Sequence, residues 1–205
     1  MRDYNIFVEG VADSCFFRQY LRHLFGETIP TERVVVLNGW DRLKTEASAV
    51  RMRSMNANGG VNLVIVDADD NYAARKEQIL KWKKENDVDF ELFLLPDDKD
   101  AGALEDLLEH IINQNNQPIL DCWDNYEKQL VQLDIPGRTP PPLTTPAKKT
   151  KIYGYLEALL GESKSQKDLI KEANRKYDNT EHWNLNAEYL NPLRQFFEKN
   201  LLEQL

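Results

Sequence analysis

At 205 residues, with 41% apolar and 29% charged side chains, the chain is long enough to bury a core as one domain, or as one domain with a modest appendage, and its composition excludes a disordered polypeptide. A formal charge of -8 excludes a uniformly basic nucleic-acid coat, while leaving room for a local basic strip or for bound cations that hold phosphates. The opening MRDYNIFVEG has no charged region leading into a long apolar run, and no segment approaches the roughly 20 apolar residues of a membrane span, so a soluble, cytoplasmic protein with no membrane partner is expected.

In chain order, Tyr4 to Val8 (YNIFV), Arg33 to Leu37 (RVVVL), Val61 to Val66 (VNLVIV) and Phe90 to Leu95 (FELFLL) are short apolar, β-branched or aromatic runs that read as buried strands. Asp13 to Phe25 repeats apolar residues at three and four and predicts a helix. Trp40 to Met55 and Ala73 to Glu85 do so more weakly. Strands alternating with helices imply right-handed crossovers, hence an α/β fold with a four-stranded, mostly parallel sheet and helices on both faces. After the fourth strand the rhythm becomes helical, at Leu104 to Asn113 and Ile119 to Leu133. The proline-dense Ile135 to Lys151 then reads as a long surface loop. Helices resume at Ile152 to Leu160, Gln166 to Lys176 and Ala187 to Leu202. Cys15 and Cys122 lie far apart without metal-ligand spacing and are expected as buried thiols. Trp123, Trp183, Phe196 and Phe197 read as packing residues, Trp40 and Tyr72 as residues able to line the crevice beyond their strands, and His23, His110 and His182 take no role.

In a parallel sheet every carboxyl end lies on one edge, and ligands bind in the crevice outside it. Glu9 follows the first strand directly, with Gly10 permitting a tight turn into the helix and Asp13 suited to its N-cap. Asp67 and Asp69 follow the third strand. Hard oxygens gathered at a strand edge are what Mg²⁺ or Mn²⁺ prefers, and a divalent cation would offset their mutual repulsion. The plain alternative is that DADDN is turn chemistry and nothing more.

An apolar strand ending in Glu9-Gly10, followed two strand-helix units later by one ending in Asp67-Ala68-Asp69, resembles the Toprim domain shared by topoisomerases, primases, OLD-type nucleases and RNA-maturation nucleases. The resemblance covers about Tyr4 to Leu108 and is nearest to small standalone OLD-like Toprim proteins. It implies a Rossmann-type core over residues 1–115 and a helical extension over 116–205 packed on it as one domain. It also implies Glu9, Asp67 and Asp69 at one metal, Asp13 with Glu105 or Asp106 at a second, and a lysine from Lys148, Lys149 and Lys151, with Lys149 the one taken as catalytic. The implied activity is Mg²⁺- or Mn²⁺-dependent cleavage of nucleic acid, DNA or RNA. The chain has no GxxxxGK[ST], so ATP hydrolysis would need an ATPase encoded separately, and lacks the zinc-ligating cysteines of primases. The alternative is a Toprim-fold module that binds metal and phosphate without cutting, beside such an ATPase. A phosphatase of the haloacid dehalogenase type is a poorer fit, since its nucleophilic Asp ends the first strand, where this chain has Glu9.

Overall fold

The computed structural model describes residues 2–138, 143–161 and 163–202. Strands β1 (Tyr4–Val8), β2 (Val34–Val36), β3 (Val61–Asp67) and β4 (Glu91–Leu95) form one parallel sheet in the order β2-β1-β3-β4. Helices α1 (Val11–Phe25), α2 (Glu46–Ala57), α3 (Tyr72–Glu85) and α4 (Leu104–His110) connect and follow the strands. The extension adds α5 (Gln117–Gln132), α6 (Lys148–Leu160), α7 (Lys164–Ile170) and α8 (Asn191–Leu201).

Side chains alternate across each strand, so the sheet feeds two cores. Ile6, Val8, Leu63, Ile65, Phe93 and Leu95 face one side, where Phe16, Phe17 and Leu21 of α1 and Leu107 of α4 meet them. Ile152, Tyr155, Trp183, Leu193 and Phe197 complete the same cluster, so the extension packs on this face. Phe7, Val64, Val66 and Leu94 face the other side, against Met52 of α2 and Ile79 and Trp82 of α3. Both faces of the inner strands are therefore dry, which explains their unbroken apolar runs.

Some boundaries depart from expectation for local reasons. The segment expected as one helix from Trp40 to Met55 is a 3₁₀ turn, Trp40–Lys44, and then α2, because Thr45 stops the first and caps the second, its Oγ1 accepting the Ser48 N–H at 3.4 Å. Residues 139–142 of the expected loop Ile135 to Lys151 lie outside the described residues. The loop ends sooner than expected, since the last proline, Pro146, precedes the N-cap Ala147 and nothing beyond it obstructs a helix. Lys148, Lys149 and Lys151 therefore stand on the first turns of α6. The helix expected over Gln166 to Lys176 begins earlier, at Lys164, where Ser163 and Gln166 form a capping box, and stops at Ile170, before an extended Lys171 and a short 3₁₀ turn. Cys15 is half-buried, and Cys122 is exposed on α5 rather than buried.

Candidate active site at the carboxyl edge of the sheet

β1 and β3 are neighbours, and their register sets Val8 beside Ile65. Glu9 is thereby level with Val66, one residue short of Asp67, and the two acids leave the sheet side by side. The turn after β1 runs into α1 through Gly10, whose extended backbone (φ -136°) demands no glycine. A Cβ there would lie 3.1 Å from Asp13 Oδ2, so a side chain at this position would press on the carboxylate and shift it by a few tenths of an ångström. Asp13 is not the N-cap expected from sequence. Gly10 is, and Asp13 sits three residues on, its Oδ2 accepting the Gly10 N–H at 2.9 Å. The reach-back satisfies an orphan donor of the helix and fixes the carboxylate at the sheet edge. Asp67 Oδ1 accepts the Leu104 N–H at 3.1 Å, tying the end of β3 to the first residue of α4. Glu105, next along, is thereby brought alongside.

Glu9, Asp13, Asp67 and Glu105 line a pocket of about 310 Å³, with Asn38, Lys149 and Glu172 on its remaining walls. Glu9 Oε1 and Asp13 Oδ1 are buried with no hydrogen-bond partner. Burial pushes all three strand-edge acids toward their protonated forms. The Asp13 carboxyl is pushed up to about 7 by burial against the pull of its own and the Gly10 backbone N–H, with Glu9 and Glu105 adding repulsion. Asp67 rises to about 8, again through burial first and then the charges of Asp13, Glu9 and Glu105. Glu9 is raised by burial, against the nearby charge of Arg75 and the Asp67 backbone amide.

The other expected site residues lie elsewhere. Asp69 takes a left-handed backbone (φ 52°), donates its N–H to Gly102 O at 3.0 Å, and ion-pairs with Arg75. It does not line the pocket. Arg75 stacks 4.4 Å above the centroid of the Trp40 ring, which carries Lys44 at 3.5 Å, so Trp40 supports two cations instead of lining the crevice. Asp106 accepts the Ala103 N–H at 2.7 Å at the start of α4 and pairs with Lys148 at 2.6 Å, so its carboxylate is committed outside the pocket. Of the three lysines only Lys149 lines the pocket, where it ion-pairs with Glu172.

Lys151 has a structural task. Its side chain is only 10% exposed, and its ammonium joins Glu109 at 2.7 Å and Asp124 at 2.6 Å, fastening α6 to α4 and α5. Lys151→Ala leaves two acids facing each other and is expected to cost roughly 2–3 kcal/mol in denaturant unfolding. Lys148→Ala, removing a mostly exposed partner, should cost under about 1 kcal/mol. Equal losses would show that Lys151 is no fastener.

Sequence reading missed Glu172, Asn38 and Arg75. Asn38 carried a faint signal, an Asn-Gly pair directly after a strand, and it takes the left-handed conformation (φ 58°) that such a pair favours. Glu172 carried none, since it reaches the pocket from the extension through tertiary packing.

Among the described residues no three His, Cys, Asp or Glu side chains are gathered closely enough to hold a metal ion as they stand. The donor chemistry nevertheless fits a hard cation: the described lining residues offer carboxylate and amide oxygens with no His or Cys, two of the carboxylate oxygens are buried and unpartnered, and the acids repel one another. No helix among the described residues is long and apolar enough to cross a membrane. No curated protein and no solved structure matches the chain. Residues 3–202, nearly its whole length, match the family described as protein of unknown function (DUF3226), and the chain belongs to that family.

Proposed function

We propose that the protein is a Toprim-type, metal-dependent phosphodiesterase acting on nucleic acid, with Glu9, Asp13, Asp67 and Glu105 as the ligands of Mg²⁺ or Mn²⁺. The observation that carries this reading is the pair of buried, unpartnered carboxylate oxygens, Glu9 Oε1 and Asp13 Oδ1, in a solvent-reaching pocket at the carboxyl edge of a parallel sheet. Leaving such oxygens unsatisfied costs stability, and a bound cation would supply the partner they lack.

When bound, the cation would supply Lewis acidity toward a phosphoryl oxygen and lower the pKa of a bound water. The chain's residues divide the rest. Asp67 Oδ1 is held by the Leu104 N–H and Asp13 Oδ2 by the Gly10 N–H, so the fold orients both carboxylates, and Asp13 Oδ1 remains for a ligand. Glu105 stands in the first turn of α4, on the same wall as the Leu104 amide that Asp67 accepts. Among the described residues Lys149 is the one cation lining the pocket. Its release from Glu172 would let it neutralise charge on the phosphoryl oxygens.

The reading is tested by incubating plasmid, single-stranded DNA and structured RNA with the full chain in Mn²⁺, Mg²⁺ or chelator, beside Glu9→Gln. Metal-dependent cutting that Glu9→Gln abolishes supports it. An inert wild-type protein that still binds Mn²⁺ would favour the second reading, a module that binds metal and phosphate without cutting beside a separate ATPase. The Lys149–Glu172 ion pair, which occupies the pocket's lysine, is the observation on that side.

A further inference from the structure

A second cleft, of about 570 Å³, runs along the outer face of α1 and meets the carboxylate pocket at Val11, which lines both. One wall is α1, carrying Arg18 and Arg22. The other is the strap Ala173 to Asp178 that follows α7, carrying Arg175 and Lys176. The strap is clamped to α1. Gln19 donates through Nε2 to Arg175 O at 2.8 Å, and its Oε1 accepts the Tyr177 N–H at 2.8 Å, while the Cys15 thiol donates to Arg175 O at 3.5 Å.

Charge separates this cleft from the rest of the molecule. In a chain of net charge -8, four cations line it against one acid, Asp178, among the described residues. Asp178 reaches Arg22 at 3.6 Å, and among the described residues no acid stands within ion-pair distance of Arg18, Arg175 or Lys176. Arg175 is the strongest sign. It is 2% exposed, its Nε donates to Ile170 O at 3.0 Å, its guanidinium lies 4.7 Å from the centroid of the Tyr153 ring, and its buried Nη2 makes no hydrogen bond among the described residues. A buried guanidinium without a counter-ion is costly, and it raises the positive potential of the groove above it. Arg18 and Arg22 are one helical turn apart, a rise of about 6 Å, so the cations are strung along the cleft and not gathered around one point. Among the described residues no aromatic side chain lines it, so they offer a base no stacking platform.

We propose that this cleft binds the phosphodiester backbone of a single nucleic-acid strand, without regard to base sequence, and feeds the adjoining phosphate past Val11 into the carboxylate pocket. The inference rests on the phosphodiesterase reading for the identity of the polyanion. A strung-out set of cations, three of the four without an acid partner among the described residues, beside an acidic pocket fits a ligand whose negative charges repeat along a line. A small phosphate would use one of them.

The test is fluorescence anisotropy of labelled oligothymidylate and oligouridylate in chelator, titrated over a range of salt, with the full chain and four variants. Arg18→Gln and Lys176→Gln should each flatten the plot of log affinity against log salt by about 0.7 and weaken binding roughly fivefold at 0.1 M salt, the loss of one phosphate contact on a single strand. Asp178→Asn, which frees Arg22, should tighten binding, a change that misfolding does not imitate. Lys81→Gln, on the exposed face of α3, should bind as the wild type does. The proposal is overturned if the wild type shows no salt-dependent binding to either oligonucleotide, if the Arg18, Lys176 and Asp178 variants bind alike, or if duplex binds more tightly than both single strands. Metal-dependent cutting with cleft-indifferent binding would sink this inference and leave the phosphodiesterase standing; cleft-dependent binding without cutting by any metal would do the reverse.

Discussion

Mn²⁺ or Mg²⁺ at about 100 times its dissociation constant is expected to stabilise the wild-type chain by ~2.7 kcal/mol, because the carboxylate pocket exists in the native state only. For a chain of this length that is a rise in Tm of roughly 5–10 °C. Glu9→Gln and Asp67→Asn should lose most of the gain. In chelator the order reverses, and Asp67→Asn should be more stable than the wild type, since it removes one member of a buried repulsive cluster while its amide oxygen still accepts the Leu104 N–H.

The pH dependence follows in sign. Asp13 and Asp67 ionise near the ordinary 3.8 when unfolded, and near about 7 and about 8 when folded. Between those values the native state holds more protons than the unfolded one, so metal-free stability contributed by these groups is greatest at the acid end and falls as pH rises from about 4 to about 8. The advantage of Asp67→Asn over the wild type should therefore be smallest at the acid end and grow with pH up to about pH 8, by roughly 1 kcal/mol per pH unit at most. Differential scanning calorimetry of both proteins across that range, with and without Mn²⁺, measures all of it. A wild type that neither binds Mn²⁺ nor loses stability relative to Asp67→Asn toward pH 8 would mean that the cluster carries no charge tension for a cation to relieve.

What sequence could and could not disclose divides along one physical line. A strand buried on both faces writes itself as an apolar run, and in a parallel sheet the residue that ends such a run has only one edge to emerge at, so the positions of Glu9 and Asp67 follow from Phe7, Val8, Ile65 and Val66. Asp13 was legible by type, although its task differs by three residues, because N-cap and reach-back acids look alike until the helix start is known. Asp69 was misleading. Its spacing from Asp67 is right for a second ligand, but a left-handed turn at Asp69 itself and the guanidinium of Arg75 direct it away from the pocket, and neither is written locally. Lys149 was placed in a loop by the prolines before it, and the structure keeps it near the acids while moving it onto a helix. Glu172 was invisible, since the packing of the extension alone brings it to the site.

Glu172 decides how Lys149 should be tested. In single-turnover cleavage with Mn²⁺, Glu9→Gln and Asp67→Asn should abolish cutting, because both remove ligands and leave the pocket's shape. Lys149→Ala should slow the chemical step by about a hundredfold if its ammonium meets charge developing on the phosphoryl oxygens, the usual loss for a transition-state donor. That drop alone would not separate catalysis from structure, since Lys149 also holds Glu172 against the pocket wall. Glu172→Gln breaks the same ion pair while sparing the lysine, and the two variants should then part company. A catalytic Lys149 predicts that Glu172→Gln cuts at least as fast as the wild type, its ammonium no longer having to leave a carboxylate before it reaches substrate. A purely structural pair predicts similar, modest losses in both variants, with any defect in binding rather than in the saturated rate. Lys148→Ala, whose partner Asp106 lies outside the pocket, should keep the wild-type rate in either case. Equal single-turnover rates for Lys149→Ala and the wild type would remove Lys149 from the chemistry and leave phosphoryl charge to be met by the ligated cation alone.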